Sequence, residues 1–277
     1  MFKVLSMKCL ILAAGYATRL YPLTENFPKP LLEVAGKPIL DHLIEDLEKT
    51  GLISEYVVVT NHRFAPIFDE WSKVPEPVEG PVEGPVVSTS STTEKGAMRS
   101  LSLSKGRIRI IDDGTTTNEG RLGAVRDIQL GVEISGSDDY LVMAGDNLLS
   151  FSLADFVRYA VGKGTSCIMR YEEKDPKRLR KSGVAEIGPG DLVLSMEEKP
   201  AEPRSTWCCP PFYYYLAADI ARIPEALECG CGIDAPGSLV SWLCSRSPIH
   251  AFPMPGPRYD IGTLESYEQV KRLYSSH

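Results

Sequence analysis

Short apolar runs alternate along this chain with segments of helical periodicity. Leu10–Leu12, Tyr56–Thr60 and Tyr140–Ala144 are apolar or β-branched runs of the length that buried parallel strands have. Between the first two runs, apolar residues recur on one helical face and Gly51 follows them: Ile39, Leu40, Leu43, Ile44 and Leu47. The order strand, helix, strand is typical of parallel sheets with right-handed crossovers. The pattern therefore predicts an α/β fold with a mostly parallel sheet.

Further elements are predicted in the second half of the chain. Gly183–Ile187 and 192–194 flank the turn sequence Gly-Pro-Gly and predict a β-hairpin. The basic tract 174–181 is interpreted as a solvated loop. Other runs predict strands at 107–111, 166–170, 212–215 and 249–252. Residues 121–125 lead into a predicted helix that ends near Glu133, and further helices are predicted at 153–161, 238–244 and about 264–274. We expect residues 1–277 to form a single domain, which is within the ordinary size range.

Residues 75–104 have a different composition from the rest of the chain. Val-Glu-Gly-Pro repeats in tandem, and Pro, Gly, Ser and Thr dominate this segment. So little apolar surface cannot offset the conformational entropy lost on folding. We predict a disordered or loosely held insertion within the domain, whose deletion leaves activity intact. A partner-binding arm is the alternative, and loss of folding on deletion would contradict the prediction.

Composition narrows the cellular context and the partners. The chain has 277 residues, a formal net charge of −7 and seven cysteines without zinc-site spacing. The acidic balance argues against nonspecific nucleic-acid binding, and no apolar run approaches the roughly 20 residues that a membrane helix needs. We expect a cytoplasmic protein that binds neither nucleic acid nor membrane. Met7 precedes the first strand directly, which makes it a candidate natural start.

The segment from Cys9 to Leu40 carries the strongest candidate chemistry. Small residues follow the first strand, and such a loop lets backbone N–H groups approach a phosphate or a base closely. They are Ala13, Ala14, Gly15 and Ala17. Arg19 and Lys29 add two cations, each near a proline. Loop and cations by themselves leave an ordinary strand–loop–helix corner as an equal alternative, because short glycine motifs are weak evidence.

A carboxylate, Asp146, follows the apolar run Tyr140–Ala144. Asp146 comes directly after Tyr140–Ala144 and Gly145, which places it at the carboxyl edge of the sheet, where open α/β folds bind ligands. Helix capping is the alternative role for such an aspartate. Ser152 stands closer to the next helix and is the better cap, so Asp146 is left for a ligand.

The whole segment from Cys9 to Leu40 resembles the signature of the sugar-1-phosphate nucleotidyltransferases, which are also called nucleoside-diphosphate-sugar pyrophosphorylases. The matching motifs are Leu12-Ala13-Ala14-Gly15-x-x-Thr18-Arg19-Leu20, Pro22-Leu23-Thr24, Pro28-Lys29-Pro30-Leu31 and Gly36-Lys37-Pro38. One departure is Ala17, where the family usually has glycine. The resemblance implies a Rossmann-like three-layer fold of the nucleotide-diphospho-sugar transferase type.

The same resemblance implies roles for individual residues. Arg19 and Lys29 would be catalytic cations, and Glu198 and Lys199 in Glu-Glu-Lys-Pro would bind the sugar hydroxyls and the 1-phosphate. Asp146 and Asp260 would hold Mg²⁺. The implied nucleotide-binding residues are Leu12, Ala13, Ala14, Gly15, Gly123 and Asp146. Helix capping is the alternative explanation for Gly123 and Asn118.

The implied reaction couples a nucleoside triphosphate to a sugar 1-phosphate and releases pyrophosphate. Gly-Asp-Asn and Glu-Glu-Lys-Pro look most like the glucose-1-phosphate thymidylyl- and uridylyltransferase branches, so dTTP or UTP is expected. Two alternatives stay open. One is a cytidylyltransferase for phosphocholine or a related alcohol, with an aromatic cage from Trp207, Tyr213 or Tyr214. The other is a noncatalytic regulatory subunit. The sequence marks no interface, so the oligomeric state stays open, with a homo-oligomer as one candidate.

Overall fold

The first half of the chain forms the parallel centre of the sheet. The computed structural model describes residues 6–73 and 106–274. The strands of this half are β1 (Met7–Leu12), β2 (Glu33–Val34), β3 (Lys37–Pro38), β4 (Ile53–Thr60), β5 (Ile108–Asp112) and β6 (Tyr140–Ala144). Four of them pair in parallel in the order β6-β1-β4-β5, which confirms the predicted parallel sheet.

Helices cover this parallel centre because each presents one apolar face to it. They are α1 (Ile39–Glu48), α2 (Ala65–Ser72) and α3 (Ala124–Ser135). All five predicted apolar residues of α1 are buried, and each such side chain contributes about 1.5–3 kcal/mol. In α3, Gly131 lies so close to the side chain of Leu10 in β1 that an added Cβ would stand 2.4 Å from it. This contact fixes α3 directly on β1.

The second half extends the sheet with mixed pairings. Its strands are β7 (Asn147–Leu149), β8 (Ser166–Glu172), β9 (Gly183–Ile187), β10 (Val193–Glu198), β11 (Trp207–Cys209), β12 (Phe212–Tyr215), β13 (Ile249–Pro253) and β14 (Arg258–Asp260). Its helices are α4 (Ala154–Lys163), α5 (Pro176–Leu179), α6 (Ala217–Ile220), α7 (Ile223–Glu228), α8 (Gly237–Leu243) and α9 (Leu264–Tyr274). Within the described residues the main sheet has ten strands, in the order β10-β9-β11-β8-β12-β6-β1-β4-β5 with β13 beside β8.

Two small ribbons lie outside this sheet. One pairs β2 with β3, and the other pairs β14 with β7 in antiparallel register. In the second ribbon Asp260 stands opposite Asn147, the residue after Asp146. The ribbon therefore carries the C-terminal aspartate to the end of β6.

The structure corrects some of the expected elements. The basic tract 174–181 contains the short helix α5, begun by Asp175, whose side chain accepts a hydrogen bond from the Lys177 N–H. The helices α2, α6 and α7 were not predicted, because their apolar positions are too few to show a clear period. The predicted hairpin is confirmed as β9 and β10. The predicted insertion 75–104 and the residues before Met7 other than Ser6 lie outside the described residues.

Among the helices in residues 6–73 and 106–274, none is both long enough and apolar enough to cross a membrane.

Candidate active site

One cavity at the carboxyl edge of β1 gathers most of the predicted site residues. It has a volume of about 560 Å³ and lies between the loop after β1, the start of α3 and the end of β6. The nine predicted residues that line it are Leu12, Ala13, Ala14, Gly15, Arg19, Lys29, Gly123, Asp146 and Lys199. Glu198 and Asp260 are not in its wall, but each lies next to a residue that is.

The loop after β1 is held by hydrogen bonds to β4 and the residue that follows it. Ala13 N–H donates to Val59 O at 2.9 Å, and Asn61 Nδ2 donates to Ala14 O at 3.0 Å. Ala17 has φ +46°, a left-handed conformation that costs a residue with a Cβ about 1–2 kcal/mol. This conformation explains physically why glycine suits the position. Thr24 Oγ1 donates to Ala17 O at 2.8 Å and helps to hold it.

Lys29 joins the two predicted metal-binding aspartates. It begins a short 3-10 turn, Lys29–Leu31, and its residue surface is only 7% exposed. Its Nζ lies 2.7 Å from Asp146 Oδ2 and 3.4 Å from Asp260 Oδ1. The structure therefore brings Lys29 together with Asp146 and Asp260, which lie 117 and 231 positions further along the sequence.

The second oxygen of Asp146 is held by a relay of side chains. Asn147 Nδ2 donates to Asp146 Oδ1 at 2.9 Å, and Arg258 Nη1 donates to Asn147 Oδ1 at 2.6 Å. Arg258 lies in β14 and Asn147 in β7, so the same ribbon that positions Asp260 also orients Asp146. None of the described helices is capped by Asp146. Ser152 Oγ accepts from the Ala154 N–H at 3.1 Å, but the N-cap position of α4 is held by Leu153, and no side chain caps this helix.

The donor set of Asp146 and Asp260 fits a hard divalent cation. Both groups are carboxylates, the ligand type that Mg²⁺ prefers, and Lys29 shows that one positive group reaches both of them. Residues 6–73 and 106–274 contain no group of three or more His, Cys, Asp or Glu side chains that could hold a metal ion. Two carboxylates suit Mg²⁺, which usually keeps several waters and binds through substrate phosphates as well.

Gly123 has a steric role at the start of α3. Its φ is +92°, and an added Cβ would stand 2.7 Å from Ile233 O. The same carbonyl accepts a hydrogen bond from Val125 N–H at 3.0 Å. Asn118 does not cap α3, because no side chain caps this helix. Capping therefore does not explain Asn118. Gly123 itself occupies the N-cap position of α3, and its C=O accepts a hydrogen bond from the Asp127 N–H at 3.0 Å. The N-cap position and the close approach of the Ile233 loop both account for a glycine here.

Glu198 and Lys199 take different positions although they are adjacent. Lys199 lines the cavity with φ +50°, and its N–H donates to Ser182 O at 3.0 Å. Glu198 ends β10 and packs against Gly237 and Gly183, where an added Cβ would stand 1.9 and 3.0 Å from its Oε1. Burial raises the pKa of Glu198, against the opposing effects of Lys199 and the Gly237 N–H. The structure thus places Lys199 on the cavity and Glu198 beside it.

Several cavity residues were not found from the sequence. Arg121 and Asp234 form an ion pair at 3.3 Å in the cavity wall, and Asp127 and Tyr16 also line it. Asp234 precedes α8 and Arg121 precedes α3, so no local pattern links the two. Asp127 could have been noticed from the sequence, because a charged residue among the apolar positions of a predicted helix is unusual. In α3 it is buried together with Ile128.

A small-residue loop after the first strand, cations beside it and paired carboxylates at the sheet's carboxyl edge define a nucleotide-binding α/β protein that handles phosphates. The comparison with family models specifies the class. The chain belongs to the nucleotidyl transferase family, whose model matches residues 8–277.

Sequence relatives cover nearly all of this chain. It is 27% identical over 271 residues to UTP–glucose-1-phosphate uridylyltransferase AglF of Haloferax volcanii, with 96% of each chain covered. It is 25% identical over 269 residues to a glucose-1-phosphate thymidylyltransferase of Streptomyces griseus, with 96% of this chain and 66% of that protein covered. The resemblance proposed from the motifs is therefore confirmed at the level of the family.

Solved structures confirm the fold. The crystal structure of apo UDP-glucose pyrophosphorylase matches with a TM-score of 0.79 at 20% identity, covering 98% of each chain. Its complex with UDP-glucose matches with a TM-score of 0.77, covering 98% of this chain. The predicted nucleotide-diphospho-sugar transferase type of α/β fold is therefore correct.

Proposed function

We propose that this protein transfers the nucleotidyl group of UTP or dTTP to a sugar 1-phosphate and releases pyrophosphate. The observation that carries this proposal is the junction of Lys29 with Asp146 and Asp260 beside the small-residue loop. Relatives named as glucose-1-phosphate uridylyl- and thymidylyltransferases align over 96% of this chain and support the substrate class.

The chemistry requires positive charge and alignment more than proton transfer. An oxygen of the sugar 1-phosphate bonds to the α-phosphorus, and the bond to the β-phosphate bridging oxygen breaks. The nucleophile is already anionic, so no general base is needed. The difficulty is the mutual repulsion of two polyanions, which fixed cations and orientation overcome.

Each cation in or beside the cavity would stabilise a different phosphate group. Lys29 would stabilise the α-phosphate in the transition state, Arg19 the departing pyrophosphate, and Lys199 the phosphate of the nucleophile. Asp146 and Asp260 would hold Mg²⁺, which when bound supplies positive charge against the phosphate oxygens. Glu198 would accept hydrogen bonds from sugar hydroxyls on the side of Lys199.

The phosphocholine alternative is disfavoured by the aromatic residues it requires. Tyr213 and Tyr214 are each only 2% exposed and belong to opposite faces of the sheet. The ring of Trp207 is covered by the guanidinium of Arg170 at 4.1 Å from its centroid. These three side chains form no open cage for a quaternary ammonium group.

Pyrophosphate release with Mg²⁺ tests the proposal directly. A grid of UTP, dTTP, CTP, ATP and GTP against glucose 1-phosphate, mannose 1-phosphate and phosphocholine should give its strongest signal with UTP or dTTP and a hexose 1-phosphate. Lys29→Met should abolish most of that signal, whereas Lys73→Met, which removes an exposed lysine paired with Glu70 on α2, should not. Activity confined to CTP and phosphocholine would refute the proposal. No turnover in any pair by folded protein would favour a noncatalytic subunit.

A further inference from the structure

Asp127 is a buried carboxyl group in the cavity wall that the proposed chemistry does not use. Its residue surface is 6% exposed, and it lies in the first turn of α3. Its Oδ1 is buried without a hydrogen-bond partner among the described residues. A buried carboxyl oxygen without a hydrogen-bond partner is destabilising. Asp113 Oδ2, on the neighbouring carboxyl group, is also buried without a partner among the described residues. A ligand in the cavity that hydrogen-bonds the Asp127 carboxyl group would offset part of this cost.

The sheet order places Asp127 away from the phosphate end of the cavity. Asp146 follows β6 on one side of β1, whereas Asp113 follows β5 on the other side, beyond β4. Asp127 is close enough to Asp113 for the second carboxylate to affect its ionisation. Lys29 stands at the Asp146 end. Lys29 therefore marks the end of the cavity at β6, and Asp127 marks the end toward β4 and β5.

A nucleoside triphosphate fits this polarity in one direction. Its phosphates belong at Lys29 and Asp146, so the base extends past Gly15 toward Gly123 and Asp127. Resting on the proposed function, we infer that Asp127 hydrogen-bonds the edge of the pyrimidine base and is a base-binding residue of this protein.

The neutral form of the Asp127 carboxyl group can hydrogen-bond the edge of a pyrimidine base. Burial, and secondly the nearby charge of Asp113, raise the pKa of Asp127 to about 7. A neutral carboxyl group has an O–H donor and a carbonyl acceptor. Uracil and thymine present an N3–H donor beside a carbonyl acceptor, so the two groups are complementary. Arg121 and Asp234 also line the cavity and pair with each other. Tyr16 lines it too, and its hydroxyl donates to Thr115 O at 3.2 Å. Arg63, Glu119 and Asp113 are the charged groups close enough to affect Tyr16.

Binding measurements with Asp127→Ala and Asp127→Asn test the inference. We expect Asp127→Ala to raise the dissociation constant of UTP roughly tenfold, the effect of one lost neutral hydrogen bond. Binding of inorganic tripolyphosphate, which has no base, should not change. Asp127→Asn keeps a donor and an acceptor and should restore most of the UTP affinity. In turnover, Asp127→Ala should raise KM for UTP and leave KM for the sugar phosphate unchanged.

A modified nucleotide locates the contact on the base. 3-Methyluridine 5′-triphosphate lacks the N3–H, so it should bind the wild type roughly tenfold more weakly than UTP does. It should bind Asp127→Ala as UTP does, because the partner is already absent. Above pH 7 the wild type should lose UTP affinity relative to Asp127→Asn, since the raised pKa makes the neutral form the one present at lower pH. The asparagine variant controls for titration of the nucleotide's own phosphate.

The outcomes separate this inference from the proposed function. Unchanged UTP affinity in folded Asp127→Ala, with a lower Tm, would overturn the inference and leave Asp127 a structural partner of Asp113. Equal weakening of UTP and tripolyphosphate would also overturn it. If folded wild-type protein bound no nucleoside triphosphate, the proposed function would fail and the inference with it.

Discussion

Replacing Lys29 with methionine removes the positive group between two carboxylates and keeps most of the side-chain volume. The Nζ lies 2.7 Å from Asp146 Oδ2 and 3.4 Å from Asp260 Oδ1. At an effective dielectric constant of about 20, unit charges at these separations attract by about 6 and about 5 kcal/mol. The aspartate side chains are 35% and 53% exposed, so solvent screens much of this attraction.

The expected loss of folding free energy is accordingly about 1–3 kcal/mol, between the values for exposed and buried pairs. For a chain of 277 residues this corresponds to a Tm lower by about 2–6 °C. The catalytic effect should be larger. Loss of a group that stabilises developing charge costs on the order of a hundredfold in turnover, or about 2.7 kcal/mol of transition-state energy.

Two measurements distinguish the two effects. Thermal unfolding gives the stability change, and initial rates of pyrophosphate release at saturating substrates give the change in kcat at a temperature where the variant is folded. Lys73→Met provides the matched removal of an exposed lysine and should change neither quantity beyond about 0.5 kcal/mol. Near wild-type kcat in folded Lys29→Met would refute the assignment of Lys29 to the reaction, whatever its effect on Tm.

Three further substitutions test the surroundings of this junction. Asp146→Asn keeps the shape but removes one charge, so turnover should fall by about a hundredfold or more at any Mg²⁺ concentration, whereas recovery at high Mg²⁺ would show that the carboxylate only aids metal affinity. Arg258→Met removes the donor that orients Asn147 through its Oδ1; we expect roughly tenfold lower kcat and a higher Mg²⁺ requirement, and an unchanged Mg²⁺ titration would contradict the relay. Gly237→Ala places a Cβ 1.9 Å from Glu198 Oε1; it should raise KM for the sugar 1-phosphate several-fold without affecting KM for UTP, and an equal rise in both would contradict the placement of Glu198 on the sugar side.

The sequence alone determined the elements and the residue types of the site. Apolar runs such as Leu10–Leu12 and Tyr140–Ala144 produce strands by local propensity and burial, and both are strands in the structure. The ordered motifs from Leu12 to Pro38 identified the family, because each motif is local and its spacing is preserved in the chain. Long-range pairings have no such local signature.

Only the tertiary structure decided how the site is assembled. Lys29 reaches Asp260, 231 positions away, because β14 pairs with β7, and that pairing depends on the whole domain being folded. The state of Asp127 likewise follows from its burial near Asp113 on another element, so its raised pKa cannot be read from its neighbours in α3. Desolvation and close charge pairs act through space, whereas a sequence records only neighbours along the chain.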